Sequence, residues 1–252
     1  MVNKEKAFYN KILWFDKRIK YEADFFECFQ PQRKVRNNPR YDNGLFYSEK
    51  CGREIQYESG LELAFIKQLE EMKSVRFYYE QPVQVKYKRS KIRKDYTPDF
   101  GVFLDTNEFV LVEIKDLPGM LENKVQMKIE GLIDFCSQRG FGLLLTDGKN
   151  TIDTINRAKD NKGLEQDIMA LIKNGLIRKE ECQQLMKKNN ASLMELYKIV
   201  LHNKLKYRSY PFHLKDGNKN HIFYQVFVEK KRYDDIVMER FKEINEGNEY
   251  SH

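Results

Sequence analysis

Two acids and a lysine stand at the ends of two apolar runs in "YTPDFGVFLDTNEFVLVEIKD", Tyr96 to Asp116. Asp99 follows Pro98, and Glu113 and Lys115 close the second run. A hairpin that opposes Asp99 to Glu113 centres its loop on Thr106, within an Asp-Thr-Asn sequence suited to a short turn. Alternation by two then places Glu113 and Lys115 on one face of the second strand, with Val110, Val112 and Ile114 packing on the other. Opposed Cβ atoms lie about 4.5–5.5 Å apart, close enough for two carboxylates to share a divalent cation. Such a cation resolves their mutual repulsion. Oxygen ligands suit Mg²⁺ or Mn²⁺, which would polarise a scissile phosphate and lower the pKa of bound water. Lys115 beside them could orient the attacking water or stabilise transition-state charge. On spacing alone the simpler alternative, a solvated strand-end ion pair worth about 0–1 kcal/mol, stands ahead.

Three neighbours shift that balance. Glu62, in the helix that precedes the sheet, would bring a third carboxylate to the same end. The same residue completes a Ser59-x-x-Glu62 capping box, and one side chain can serve both roles. Pro98 fixes the direction in which the chain reaches Asp99. Gln81, in "EQP", could hydrogen-bond a carboxylate or water, although a surface residue at a strand start is the simpler expectation.

The elements that must position these residues follow in order. Ser59 caps a helix whose Leu61, Phe65, Leu69 and Met72 form one stripe. "YYEQPVQVKYKR" alternates in strand fashion after Pro82, "SKIRK" reads as a basic turn, and the two apolar runs as two more strands. A helix over "ENKVQMKIEGLIDFCSQRG" ends at Gly140, and "FGLLLT" is a short buried strand. Residues 53–150 thus form an α/β unit in the order helix, three strands, helix, strand. Residues 1–52 read as a basic arm or irregular lead-in. Residues 151–252 carry three short amphipathic helices. "KYRSYPFHL" and "HIFYQVFVE" then read as a hairpin around an Asp-Gly turn, and a last helix follows: a winged-helix outline.

Composition fits these elements. The 252 residues are 41% hydrophobic and 33% charged, with net charge +7. The charge is +5 over residues 1–53, −2 over 54–150 and +4 over 151–252, as expected of a polyanion binder with a carboxylate site at its centre. No window approaches a membrane span of roughly 18 apolar residues, and the charged N-terminus is unlike a secretory signal, so a cytoplasmic location is expected. Four separated cysteines and C-terminal histidines give no zinc pattern. The segment Lys86 to Lys94 holds Lys86, Lys88, Arg89, Lys91, Arg93 and Lys94, which read equally as phosphate contacts or a solubilising tip. Tyr78, Tyr79 and Tyr87 follow strand alternation and are expected to pack in a sheet. Lys204, Lys206 and Arg208 flank the start of the wing.

Pro98-Asp99 followed by Glu113-Ile114-Lys115 resembles the PD-(D/E)xK nuclease superfamily. Within it, "GLFYSEKCGREIQYESGLE", "YYEQPVQVKY", "YTPDF" and "VLVEIK" are similar, in that order, to the TnsA family of transposase endonuclease subunits. The likeness covers roughly residues 33–147. It implies a restriction-endonuclease-like αβββαβ core with a C-terminal winged-helix-like domain. It implies Glu62, Asp99, Glu113 and Lys115 as catalytic residues, and Glu62, Asp99, Glu113 and Ile114 as the metal set for Mg²⁺ or Mn²⁺. Gln81 and Lys124 become secondary candidates. DNA, a transposase and an ATPase regulator are the implied partners. The alternatives are a standalone restriction, phage-defence or repair nuclease, and a non-catalytic DNA-binding protein on the same fold.

Overall fold

Both apolar runs flanking Thr106 become strands buried along their whole length. The computed structural model describes residues 2–15, 20, 21, 31, 42–89, 92–217 and 222–249. They form a mixed α/β chain in two units, Met1–Met120 with Met127–Thr151, and Leu121–Gln126 with Ile152–His252.

In chain order, the elements before residue 151 are α1 (Val2–Tyr9), β1 (Gly44–Ser48), β2 (Arg53–Tyr57), α2 (Gly60–Glu71), β3 (Val75–Glu80), β4 (Val85–Arg89), β5 (Ile92–Tyr96), β6 (Phe100–Leu104), β7 (Phe109–Ile114), α3 (Leu117–Leu121), α4 (Asn123–Arg139) and β8 (Gly142–Thr146). A four-stranded sheet has the order β3-β6-β7-β8. Its first two junctions are antiparallel and β7–β8 is parallel. The parallel pair needs a crossover, which α4 supplies. Gly140, at φ +68°, ends that helix in the left-handed conformation open to glycine.

Phe100 pairs with Val112 and Val102 with Val110, the register expected from a loop centred on Thr106. Asn107 turns that loop at φ +61°, and its N–H donates to the Leu104 carbonyl at 3.0 Å. One core is built from Phe65, Ile66 and Leu69 of α2 against Phe100, Val102, Val110, Val112 and Leu144 of the sheet, all essentially inaccessible to water. Each such side chain stabilises the fold by about 1.5–3 kcal/mol relative to exposure.

Two expectations for this half are corrected. The strand expected after Pro82 forms as β4 but does not join the main sheet, and the expected turn "SKIRK" runs into strand β5: the sheet strand is β3, and the chain breaks at Gln81, whose φ is +48°. The alternating residues beyond Pro82 instead pair with β5 in a separate two-stranded hairpin. Gly131 of α4 lets that hairpin approach, since a Cβ there would stand 2.7 Å from Tyr87 Cβ. Nor is the lead-in irregular near its end, because β1 and β2 pair from Gly44↔Tyr57 to Ser48↔Arg53. Ile55 of β2 is buried and Gly52 turns the hairpin at φ +62°. Ser48 Oγ donates to Glu70 Oε1 at 2.6 Å, tying it to α2.

The second unit comprises α5 (Ile152–Asn156), α6 (Lys162–Ile172), β9 (Ile177–Arg178), α7 (Lys179–Lys188), α8 (Leu193–His202), β10 (Lys206–Arg208), β11 (His213–Lys215), α9 (Ile222–Phe227) and α10 (Tyr233–Glu249). The three short helices are those expected, and Ser192 with Glu195 closes a capping box at α8. The hairpin differs. Its strands are β10 and β11, joined through "SYPF", with β9 added in the order β10-β11-β9. "HIFYQVFVE" supplies α9 instead of a strand, because Phe223, Val226 and Phe227 recur at helical spacing and are buried together. Glu122 forms a bridge with Tyr207 and its Oε1 accepts the Ser209 N–H at 2.8 Å and hydroxyl at 2.6 Å. Among the described residues no helix is long and apolar enough to cross a membrane.

Candidate functional site

The end of the sheet where β3 and β7 finish and β6 begins brings two of the predicted acids face to face. The β6–β7 register, continued one residue beyond Phe100↔Val112, sets Asp99 across from Glu113. On the other side, the N–H of Gln81 donates to the Asp99 carbonyl at 2.8 Å. Gln81, Asp99 and Glu113 thus share one row across three strands. Asp99 Oδ2 accepts the Ile114 N–H at 2.7 Å, so its carboxylate is fixed by the backbone of the second strand.

Glu113 is fully buried, and Lys115 and Tyr96 are the side chains that pull on its carboxylate. Lys115 Nζ lies 2.8 Å from Glu113 Oε1 as an ion pair. Burial, then repulsion from Asp99, raises the Glu113 pKa to about 7 against the pull of Lys115. This excludes the solvated strand-end ion pair, whose small energy presupposes water around both charges. A fully buried carboxylate facing a second acid is costly and calls for a cation.

Lys115 carries the nearest one. Its ammonium donates to the Ile114 carbonyl at 2.6 Å and stands 3.5 Å from Asp99 Oδ2. Burial lowers its pKa, but Asp99 and Glu113 outweigh that and hold it above the ordinary lysine value. It is positively charged throughout the physiological range.

Glu62 folds back on the helix start, but its carboxylate meets the Ser59 hydroxyl and the residue before the cap in place of the Ser59 N–H of a capping box. Ser59 Oγ accepts the Glu62 N–H at 3.2 Å and donates to Glu62 Oε1 at 3.0 Å, while Oε2 accepts the Glu58 N–H at 2.8 Å. Burial and the charge of Asp99 nevertheless raise its pKa to about 7, with the Glu58 and Ser59 hydrogen bonds opposing. These bonds hold a carboxylate within electrostatic reach of Asp99.

The oxygens fit a hard divalent cation: Asp99 and Glu113 carboxylates, the Ile114 carbonyl between them, and Glu62 nearby. Among the described residues no three His, Cys, Asp or Glu side chains are drawn together as a ready metal cluster. The Lys115 ammonium takes the point that Asp99, Glu113 and Ile114 share.

Gln81 departs from expectation. It follows β3 and is 7% exposed, with Oε1 buried and lacking a partner. A surface residue is thereby ruled out. Burying an unpaired amide oxygen costs about 1–3 kcal/mol, and a left-handed backbone at a non-glycine residue adds to that. The Gln-Pro pair was the one signal of this break legible in the sequence.

Lys124 is an exposed residue in the first turn of α4 and falls in the second unit. Lys86, Arg93 and Lys94 are exposed on the β4–β5 hairpin. Lys88 and Arg89 have their backbones in β4, and Lys91 lies outside the described residues. Tyr78 and Tyr87 are buried packing residues, the former donating its hydroxyl to Glu70 Oε1 at 2.7 Å.

Sequence reasoning missed the Arg53–Glu80 pair beside this row. Arg53 makes two hydrogen bonds to Glu80, at 2.9 and 2.7 Å, and Glu80 is 2% exposed. Neither a family model nor a curated protein matches this chain.

Proposed function

We propose that the protein is a metal-dependent DNA endonuclease that hydrolyses phosphodiester bonds, acting as the TnsA-like strand-cleaving subunit of a transposition machinery. The observation that carries the cleavage chemistry is Glu113: a fully buried carboxylate beside a second acid, Asp99, and a charged Lys115. The sheet order β3-β6-β7-β8, with α2 before it and α4 inside it, supports a restriction-endonuclease-like core. The order α6-β9-α7-α8-β10-β11, with its sheet β10-β11-β9, supports a winged-helix reading of the second unit, which would dock on DNA or on a transposase or ATPase partner.

Asp99, Glu113, Glu62 and the Ile114 carbonyl would hold Mg²⁺ or Mn²⁺. When bound, the ion polarises the phosphate and supplies an activated water. The chain's own residues do the rest. The Ile114 N–H and Gln81 N–H hold Asp99 from side chain and backbone respectively, so its carboxylate needs no reorganisation during reaction. Burial of Glu113 excludes bulk water. Lys115, charged at neutral pH, stabilises negative charge on the phosphate as it builds. Exposed Lys86, Arg93 and Lys94 on the β4–β5 hairpin would contact the DNA backbone.

Incubation of supercoiled plasmid with the protein and Mg²⁺ or Mn²⁺ tests this. Nicking is expected, and Asp99→Ala, Glu113→Ala and Lys115→Ala should each abolish it while leaving the fold intact. Three variants that cut as well as wild type would refute the site.

A further inference from the structure

Three oxygens converge on the Lys115 ammonium: the Ile114 carbonyl at 2.6 Å, Glu113 Oε1 at 2.8 Å and Asp99 Oδ2 at 3.5 Å. Each is an oxygen of the metal set assigned above, and the inference that follows rests on that assignment. The three contacts come from one short piece of backbone. Glu113 and Lys115 lie on the same side of the β7 line, and the Ile114 carbonyl projects between them. Asp99 is held in place by the Ile114 N–H at 2.7 Å. The cradle is therefore built by the sheet and does not depend on the lysine to assemble it.

An ammonium at that point does electrostatically what a metal would do there. It cancels the repulsion of two carboxylates and gives a strand-end carbonyl a cation. Both cannot be present. A divalent ion binds such oxygens at about 2.0–2.2 Å, well inside the space the ammonium fills, and the two charges repel. The lysine stem is flexible and its side chain is 31% exposed, so the ammonium has a route outward.

We propose that Lys115 and the divalent cation are alternative occupants of one oxygen cradle, so that the metal enters only as the ammonium leaves. Lys115 is then an internal competitor of the metal in the resting protein. Once displaced, its charge is released toward solvent, where the phosphate of a bound nucleic acid is the anion available to hold it. Metal and phosphate thereby favour each other's binding through one side chain, a coupling that is reciprocal by linkage.

Two measurements test this without relying on cleavage. Calorimetric titration with Mn²⁺ compares wild type with Lys115→Met, which keeps the stem's bulk and removes the charge. The substitution should tighten Mn²⁺ binding about tenfold or more, because the fraction of molecules with an open cradle no longer limits the apparent affinity. In wild type, reductive methylation of Lys115 by formaldehyde and cyanoborohydride, followed by mass spectrometry, should be several-fold faster in saturating Mg²⁺ than in EDTA. Equal Mn²⁺ affinities and unchanged methylation, with binding still lost in Glu113→Gln, would overturn the exclusion while leaving the metal site standing. Failure of both proteins to bind Mn²⁺ would sink the metal assignment and the exclusion with it. Should Lys115→Met not fold, the wild-type methylation rate decides alone.

Discussion

Asp99 Oδ2 accepts the backbone N–H of Ile114 at 2.7 Å, so one predicted acid is anchored by the residue that separates Glu113 from Lys115. This single bond makes the site a property of the β6–β7 pairing and not of side-chain chance. Asp99→Asn preserves the shape and offers its amide oxygen to Ile114, but loses the charge. It should fold with a melting temperature within a few degrees of wild type and lose about 100-fold or more in plasmid nicking. Circular dichroism melting and gel-based nicking measure the two effects separately.

Glu62 allows its two roles to be separated by substitution. Glu62→Gln keeps an amide oxygen to accept the Glu58 N–H and turns its NH₂ toward the Ser59 oxygen, so the helix start survives and Mn²⁺ affinity falls. Ser59→Ala removes the partner of the Glu62 N–H and should cost about 0.5–2 kcal/mol of stability. Equal Mn²⁺ affinity in wild type and Glu62→Gln, read by calorimetry, would reduce Glu62 to a cap.

Burial makes the acids of the site pH-sensitive in a defined direction. Glu62 and Glu113 are raised from 4.5 to about 7 in the folded protein, by burial first and by Asp99 second. The folded state thus holds more protons than the unfolded chain between those values, and the stability they contribute is complete below about pH 4.5. It is lost as pH rises through about 7. In EDTA the melting temperature should fall across this window. Mn²⁺ affinity should rise across it, by up to about tenfold per pH unit for each proton released. Melting scans and titrations at several pH values check both slopes.

The Arg53–Glu80 pair joins β2 to β3 next to the row that carries Gln81. Arg53 is one-third exposed and Glu80 nearly buried, at 33% and 3% for their side chains. Arg53→Ala leaves the acid uncompensated and should cost about 2–3 kcal/mol, less than the full figure for a wholly buried pair. Urea denaturation of the variant gives the value directly.

Much of this architecture was legible from the chain. Alternation on either side of Thr106 yielded the β6–β7 register, and Gly140 marked the end of α4 because its φ of +68° is open to glycine. The strand after Pro82 was legible, but its departure from the main sheet was not, because its residues alternate just as a sheet strand does; only the break at Gln81 diverts them. The burial of Gln81 itself depends on tertiary packing around a left-handed residue, which local pattern does not encode. β9, two residues long, is too short for any periodicity, and α9 was masked by aromatic residues that favour strands as readily as helices. The cradle around Lys115 is likewise a matter of side-chain geometry: spacing brings its residues together without saying which cation holds them.

Glu122 has a consequence at the level of the gene. It clamps Ser209 and bridges Tyr207, although the first unit's segment Met127–Thr151 lies between it and the main part of the second unit. The C-terminal unit is therefore not a cassette. A recombination joint placed at residue 152 would transplant the β10–β11 hairpin without the residue that fastens it, and a working chimera would have to carry position 122 along with the segment it serves.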